Sequence, residues 1–343
     1  MLQLKNNTPF KPDISLLANK DGVDTLYAVI KATFRLEPEI SVAKQQIPPF
    51  HADEYWSDPA TSSLKYSSDV HLGKLSTDVV LVGQAWSPDG RPVTGLDTSV
   101  AVAERQKTIR VHGNRVFKNG LFGVSLSAPE PFVSMPLIYE RAFGGIHILD
   151  AEKGKLLGEA RNPVGLGFKG KKNSSEFKDK PAPNLEDPKH PFKGPTDKGE
   201  PACYGYIASS WMPRRQFAGT YDAAWQSGRA PYLPEDFNQR FLNAAHPDLT
   251  FDRFLQGGEP VRLINVSSRG PLQFQLPRCK FLITVQVHGH KEALPANCET
   301  ILFEPDENRM SMVWRGAYPC DKKALKIEQV SFDLEELEGV NYV

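Results

Sequence analysis

The stretch "DTLYAVIKATFRL" (24–36) restricts the fold more than any other in the chain. Leu26, Ala28, Ile30, Ala32 and Phe34 recur every second residue, which lines one side of an extended strand and would scatter around a helix. The same short, turn-punctuated pattern returns along the sequence. "TDVVLVGQAW" and "VTGLDTSVAVAE" flank "SPDGRP", where Asp89-Gly90 predicts a hairpin turn. "KTIRVHGNRVF" repeats the arrangement with His112-Gly113-Asn114 as its turn. "ETILFEPDENRMSMVWRG" predicts another hairpin, with Met310, Met312 and Trp314 on one face. No internal repeat of fixed period is present. These runs predict a mainly β protein built of antiparallel sheets, as a β-sandwich or a barrel-like arrangement, with a few short helices in the second half.

Three segments are distinguishable by composition. Residues 1–149 read as a β-rich N-terminal half and 201–343 as a β-rich C-terminal half with short helices. Between them, residues 150–200 are rich in Lys, Gly and Pro and poor in β-branched residues. A structureless loop of about 50 residues is unusual in a compact domain, so this excursion is expected to be pinned at Phe168, Leu185 and Phe192. The Lys-rich run 169–172 reads as solvated surface. In the C-terminal half, Thr220 is placed to cap "YDAAWQS", with Gly228 beyond its end. Pro234 is placed to start a helix in which Phe237, Phe241 and Ala244 share a face, ended by His246-Pro247. "DRFLQGGE" offers one further turn closed by Gly257.

Composition excludes several function classes. Lys+Arg and Asp+Glu both number 41, a formal net charge of zero. That removes the general electrostatic drive toward nucleic acid or an anionic membrane. No run approaches the ~20 apolar residues of a membrane-spanning helix. The beginning, "MLQLKNNTPFKPDISLL", lacks an apolar core followed by a small-residue cleavage site. A cytoplasmic location is therefore expected. Cys203, Cys279, Cys298 and Cys320 form no C-x-x-C pair and read as buried reduced thiols.

Catalytic signatures are sparse. His288 and His290, two apart in "TVQVHGHKE", would point to one face of a strand, which is a start for a metal site to which Cys279 or Cys298 could add. Two ligands do not make a site, and surface histidines beside a Gly turn are the simpler reading. There is no G-x-S-x-G, no phosphate-binding Gly loop and no base near Cys279 in sequence. Scattered carboxylates such as Glu140, Glu159, Asp222 and Asp236 leave a hydrolase formally open. No cofactor is implied.

Residues 208–241, "ASSWMPRRQFAGTYDAAWQSGRAPYLPEDFNQRF", concentrate two Trp, two Tyr, three Phe, four Arg and three Pro. Arg214, Arg215 and Arg229 beside Trp211 and Trp225 could stack bases. Asp222, Glu235 and Asp236 offset those charges, so bracing of irregular backbone by carboxylates and aromatic faces is the better reading. Pro213, Pro231 and Pro234 stiffen the same segment. Partner contact by its outer face is a second role.

Eight motifs then fall in one order: "YSSD", "TDVVLVGQAWSPDGRPV", "VHGNRVF", "MPLIYERAFGG", "RNPVGLGF", "PNLE", "WMPRRQFAGTYDAAWQSGRAPYLPEDFNQRFLNAAHPD" and "MVWRGAYP". Together, from about residue 8 to about residue 315, they resemble a bacterial family of unknown-function domains that accompanies type VI secretion effectors. Asp236-Phe237-Asn238 departs from the Asp-Phe-Asp of that pattern. The resemblance implies an adaptor or chaperone, not an enzyme, that holds an effector and loads it onto a VgrG-type or PAAR-tipped spike. Glu140 and Arg141, in the fourth motif, join Trp211, Arg214, Arg215, Asp222, Trp225 and Arg229 as expected bracing or contact residues. Neither nucleic acid nor membrane is expected as a partner. A hydrolase and a structural piece of the secretion apparatus are the alternatives.

Overall fold

The computed structural model describes residues 2–120 and 123–341. It is mostly β, with several antiparallel sheets, short helical turns and no closed barrel. The central sheet runs in the order Lys11–Ala18, Asp24–Arg35, Arg309–Pro319, Asn297–Glu304 and Asp78–Leu81, with Ser41–Val42 pairing at the side of Asp24–Arg35. Only its last pair, Asn297–Glu304 with Asp78–Leu81, is parallel. A four-stranded sheet orders Gln3–Asn7, Ile327–Glu338, Arg278–Val287 and His290–Leu294. A five-stranded sheet orders Leu185–Glu186, Arg105–His112, Gly95–Val102, Pro260–Ile264 and Leu272–Gln275. Every large sheet mixes strands from both halves of the sequence, so residues 1–149 and 201–343 interleave.

The alternation in Asp24–Arg35 sets the two faces of the central sheet. On one face, Leu26, Ala28, Ile30, Ala32 and Phe34 join Met310, Met312 and Trp314, all buried. Aromatic edges close that layer: Phe281 of the four-stranded sheet meets Trp314 at 5.0 Å, and Phe274 of the five-stranded sheet meets Phe303 at 6.1 Å. Burying one such side chain contributes about 1.5–3 kcal/mol.

The other face is polar in sequence and buried all the same. Ladder partners share a face, and here Lys31 opposes Val313, Thr33 opposes Ser311, and Val29 opposes Arg315. Lys31 and Arg315 are 1% and 3% exposed. Residues between Phe50 and Asp78 cover them.

The hairpin predicted at "EPDENR" forms, with Asn308 at φ +52° closing its turn. Two other predicted hairpins do not. Gln84–Trp86 pairs with Ser134–Pro136 instead of with Gly95–Val102, which turns at Ala103-Glu104 to pair with Arg105–His112. Register decides this: Leu96, Thr98, Val100 and Val102 bury the same face as Lys107, Ile109 and Val111. Gly113 likewise closes no hairpin. A Cβ there would lie 1.7 Å from the Glu130 carbonyl oxygen, so close approach of two backbones explains it.

The helical readings are also revised. Asp222, not Thr220, caps Ala223–Gly228, accepting from the Trp225 amide at 2.8 Å, and Gly228 is the helix's last residue. Thr220 is instead tied to Asp236 through backbone and hydroxyl. Pro234 opens only a turn. Asn238 then caps the short 3-10 helix Gln239–Leu242 and Pro247–Leu249 forms another. No helix forms at "DRFLQGGE", where Leu255 bridges to Cys298. In the excursion, Leu185 pairs into the five-stranded sheet, while Phe192 packs with Phe117, Phe143, Phe177 and Ala182 in a small second core against which Phe168 leans.

Candidate functional site

Two of the ordered motifs meet around one buried amide. Asn162 of "RNPVGLGF" donates to the carbonyls of Tyr139 and Phe143 in "YERAFGG", at 2.8 and 2.9 Å. Its backbone carbonyl accepts from the Gly145 amide. A Cβ at Gly165 would fall 2.4 Å from the Asn162 side chain and 2.5 Å from the Ala142 carbonyl, so only glycine fits there. Glu140 accepts from the Ser63 amide and hydroxyl, and Arg141 donates to Asn184 and Asn114. Both therefore fasten chain segments to each other. Tyr139 meets Trp211 edge-on at 5.5 Å, which ties this junction to the aromatic segment.

Beneath the polar face of the central sheet lies a layer of buried ion pairs. Lys31 binds Asp69 at 3.1 Å and stands over the Phe50 ring. Arg315 binds Glu299 at 2.7 Å and donates to the Asp69 carbonyl. Lys74 binds Asp78 at 2.7 Å and Thr300 at 2.8 Å. Burial pulls the Lys31 ammonium below its usual range, opposed by Asp69. His71, 3.1 Å from Arg315, is held well below its usual value by burial and by the Arg315 and Lys74 charges. Glu304 accepts from Tyr66 and Arg309, and burial plus that carboxylate push the Tyr66 phenol up. None of these residues was singled out in sequence, although a lysine inside an apolar strand and the Lys74/Asp78 spacing were visible signals.

The aromatic segment is held chiefly by carbonyls rather than carboxylates. Arg214, 7% exposed, donates to the Ile207 carbonyl at 2.6 Å and the Phe241 carbonyl at 2.9 Å, with its guanidinium over the Phe241 ring. Arg229 donates to the Leu233 and Lys20 carbonyls, and the Trp225 indole to the Tyr232 carbonyl. Trp211 is buried, whereas Arg215 and Asp222 are exposed. Arg214 also lines an open cavity of about 540 Å³, together with Arg105, Arg240, Phe217, Phe251 and Asp252. Asp78 supports that wall from behind. It accepts from the Ala244 amide at 2.7 Å, from Asn243 at 3.0 Å and from Thr250 at 3.2 Å.

His288 and His290 do not share a strand face. His288 has φ +51° and begins the two-residue turn between Arg278–Val287 and His290–Leu294, and both rings are exposed. Cys279 and Cys298 are buried, with thiols raised by burial. Cys203, also buried, is pushed up to about 12. Among the described residues, no cluster of three or more His, Cys, Asp or Glu side chains is placed to hold a metal. No described helix is long and apolar enough to cross a membrane.

A different histidine carries a pH dependence. His246 lies 3.3 Å from the Lys107 ammonium, beside Asp248, and burial and Lys107 lower it to about 4 from 6.5. Between those values the unfolded chain takes up a proton that the folded chain refuses. Stability therefore falls as pH drops from 6.5 toward 4, by on the order of 2–3 kcal/mol from this residue. Urea midpoints at pH 7 and pH 5 should show that loss in the wild type and a smaller one in His246→Asn, which keeps a cap for Asp248. Equal losses in both proteins would remove His246 from the account.

Sheet architecture, motif junction and cavity together define a mainly β protein in which two of the ordered motifs fasten neighbouring chain segments to each other. Residues 21–315 match the family described as "uncharacterized protein conserved in bacteria" (DUF2169), and the chain belongs to that family. No curated protein and no solved structure matches the chain. The match leaves out Gln3–Asn7 and Ile327–Glu338, which pair with each other in parallel at one side of the four-stranded sheet.

Proposed function

We propose that the protein is a non-enzymatic adaptor that holds a type VI secretion effector and promotes its loading onto a VgrG-type or PAAR-tipped spike. It would act in the cytoplasm, where its four buried thiols stay reduced. The link to secretion rests on the resemblance of the ordered motifs. The observation that carries partner binding is the hairpin Ile146–Asp150/Lys155–Gly158, a two-stranded ribbon outside the large sheets. Ile148 and Leu156 are direct partners on one face and are 59% and 58% exposed, with Ile146 beside them at 42%. An apolar cluster left in water is a feature of interaction surfaces.

The client's chemistry follows from the surroundings. A basic turn is fastened to the ribbon, because the Lys171 amide donates to His147 and Lys172 donates to the Ile146 carbonyl. The outer edge of Lys155–Gly158 has no backbone partner among the described residues. An apolar client strand with acidic flanks can add to that edge by β-augmentation, and binding only the folded client stabilises it by mass action.

The test is capture of the effector encoded beside this gene by the wild type and by Ile148→Lys/Leu156→Lys. Because both side chains are exposed, the variant should keep its own stability within about 0.5 kcal/mol. Its affinity for the effector should fall by about tenfold or more. A variant that captures the effector as well as the wild type sinks the ribbon as the docking surface, and a wild type that neither captures nor stabilises it sinks the adaptor reading.

A further inference from the structure

The cavity beside the aromatic segment has an unbalanced wall. Arg105, Arg214 and Arg240 line it, and none of the three has a carboxylate within 4.0 Å among the described residues. Against three guanidinium groups the lining offers one carboxylate, Asp252, which is exposed. Asp78 lies behind the wall, but Lys74 and three further donors already engage it. Asp53, whose charge also reaches Arg214, accepts from Ser67 and Ser68. Arg214 is the strongest element, because it is almost fully buried and is satisfied only by two neutral carbonyls. A desolvated cation without a counter-charge is costly unless an anion arrives.

The remainder of the lining mixes the neutral polar side chains of Ser76, Gln216, Asn243 and Thr250 with apolar ones. Phe251 is buried with the Arg105 guanidinium over its ring at 5.5 Å, and Phe217 stands half-buried in the wall. A volume of about 540 Å³ lies in the range of small-ligand sites and is too small for a folded partner. Planar guanidinium forks match carboxylates in two-point geometry.

We propose that this cavity binds a carboxylate carried on an apolar or aromatic body, the carboxylate pairing with the arginines and the body lying on Phe217. Such a ligand has two sources, a free organic acid or the C-terminal carboxylate of an apolar peptide. The site lies on different segments from the exposed ribbon and does not rest on the adaptor reading.

The experiment titrates the whole protein with 3-phenylpropionate and with its neutral amide, followed by calorimetry. The acid should bind with a Kd of ~1 mM or tighter, as its size permits. The amide should bind roughly tenfold or more weakly, the loss expected when a charged hydrogen-bond partner is removed. Raising the salt should weaken only the acid. Arg214→Gln can lose fold along with binding, so Arg105→Gln/Arg240→Gln, which removes the two less buried groups, is the informative variant. It should keep the wild-type melting temperature and lose acid binding, while Ile148→Lys/Leu156→Lys should keep acid binding. A tetrapeptide ending in Phe, compared with its C-terminal amide, separates the sources. Tighter binding of the free-ended peptide than of the small acid assigns the site to a polypeptide end, and the reverse order to a free acid. Equal binding of acid and amide, or no binding of the acid at about ten times that Kd, overturns the proposal.

Discussion

Replacing Asp78 with alanine should lower the free energy of unfolding by about 3–5 kcal/mol, the range seen when one partner of a buried ion pair is removed. Asp78 is fully buried, and four groups depend on it: the Lys74 ammonium, the Ala244 amide, the Asn243 amide and the Thr250 hydroxyl. The alanine leaves the desolvated Lys74 ammonium with the Thr300 hydroxyl but no counter-charge, and the desolvated Ala244 N–H without its acceptor. Urea unfolding should show a lower midpoint at an unchanged slope. Asp78→Asn, which keeps an acceptor but no charge, should fall between. A loss below about 1 kcal/mol would mean that water reaches Lys74 and that the layer is not dry. The same variant should also lose binding of 3-phenylpropionate, because Asp78 holds the segment 243–250 that walls the cavity.

Asp69→Ala should cost a similar ~3–5 kcal/mol, and a second substitution should recover much of it. Alone, it strands Lys31 over the Phe50 ring and removes the acceptor of the Phe50 amide. In Lys31→Met/Asp69→Leu, both charges give way to apolar groups of similar size. The double variant should therefore be more stable than Asp69→Ala, with a non-additive coupling of about 1–3 kcal/mol. Burial already lowers Lys31 in the folded chain, so the unfolded chain binds that proton more tightly. Stability linked to this residue rises with pH up to about 10.5, and the rise should be steeper in Asp69→Ala, where no carboxylate opposes burial. Additive single effects and a flat pH profile would show that Lys31 and Asp69 do not act as a pair.

Strand identity was legible because period-two alternation is a local property, and Leu26, Ala28, Ile30, Ala32 and Phe34 carry it without reference to the rest of the chain. Strand partners were less so. Asp89-Gly90 does turn, with φ +55° and +66°, yet the strands around it pair elsewhere. Turn chemistry bends the chain, whereas pairing is decided by which faces bury together. The working hairpin turn, Ala103-Glu104, contains no residue type that announces a positive φ. In the short helices, local rules found the right neighbourhood and missed by two residues at the cap, because Asp236 draws Thr220 away from it.

The candidate site was legible only in part. Trp211 and Arg214 stood out by composition, and the structure places them at a junction and in a cavity wall. Arg240 was only one of the four arginines counted in residues 208–241 and Arg105 gave no signal, since the two lie 135 residues apart and are joined only by the fold. Lys31 and Arg315 alternate with the apolar residues of their strands, and alternation alone does not say what covers their face. By itself the amino-acid order determined a mainly β chain, its apolar sheet face, its unpaired reduced thiols and the motifs that mark its family. Tertiary structure alone decided that the polar face would also be buried and that its charges would find partners tens to hundreds of residues away. The physical reason is range: alternation and turn preference act over a few residues, while desolvation and charge pairing depend on whichever segments the fold lays over the sheet.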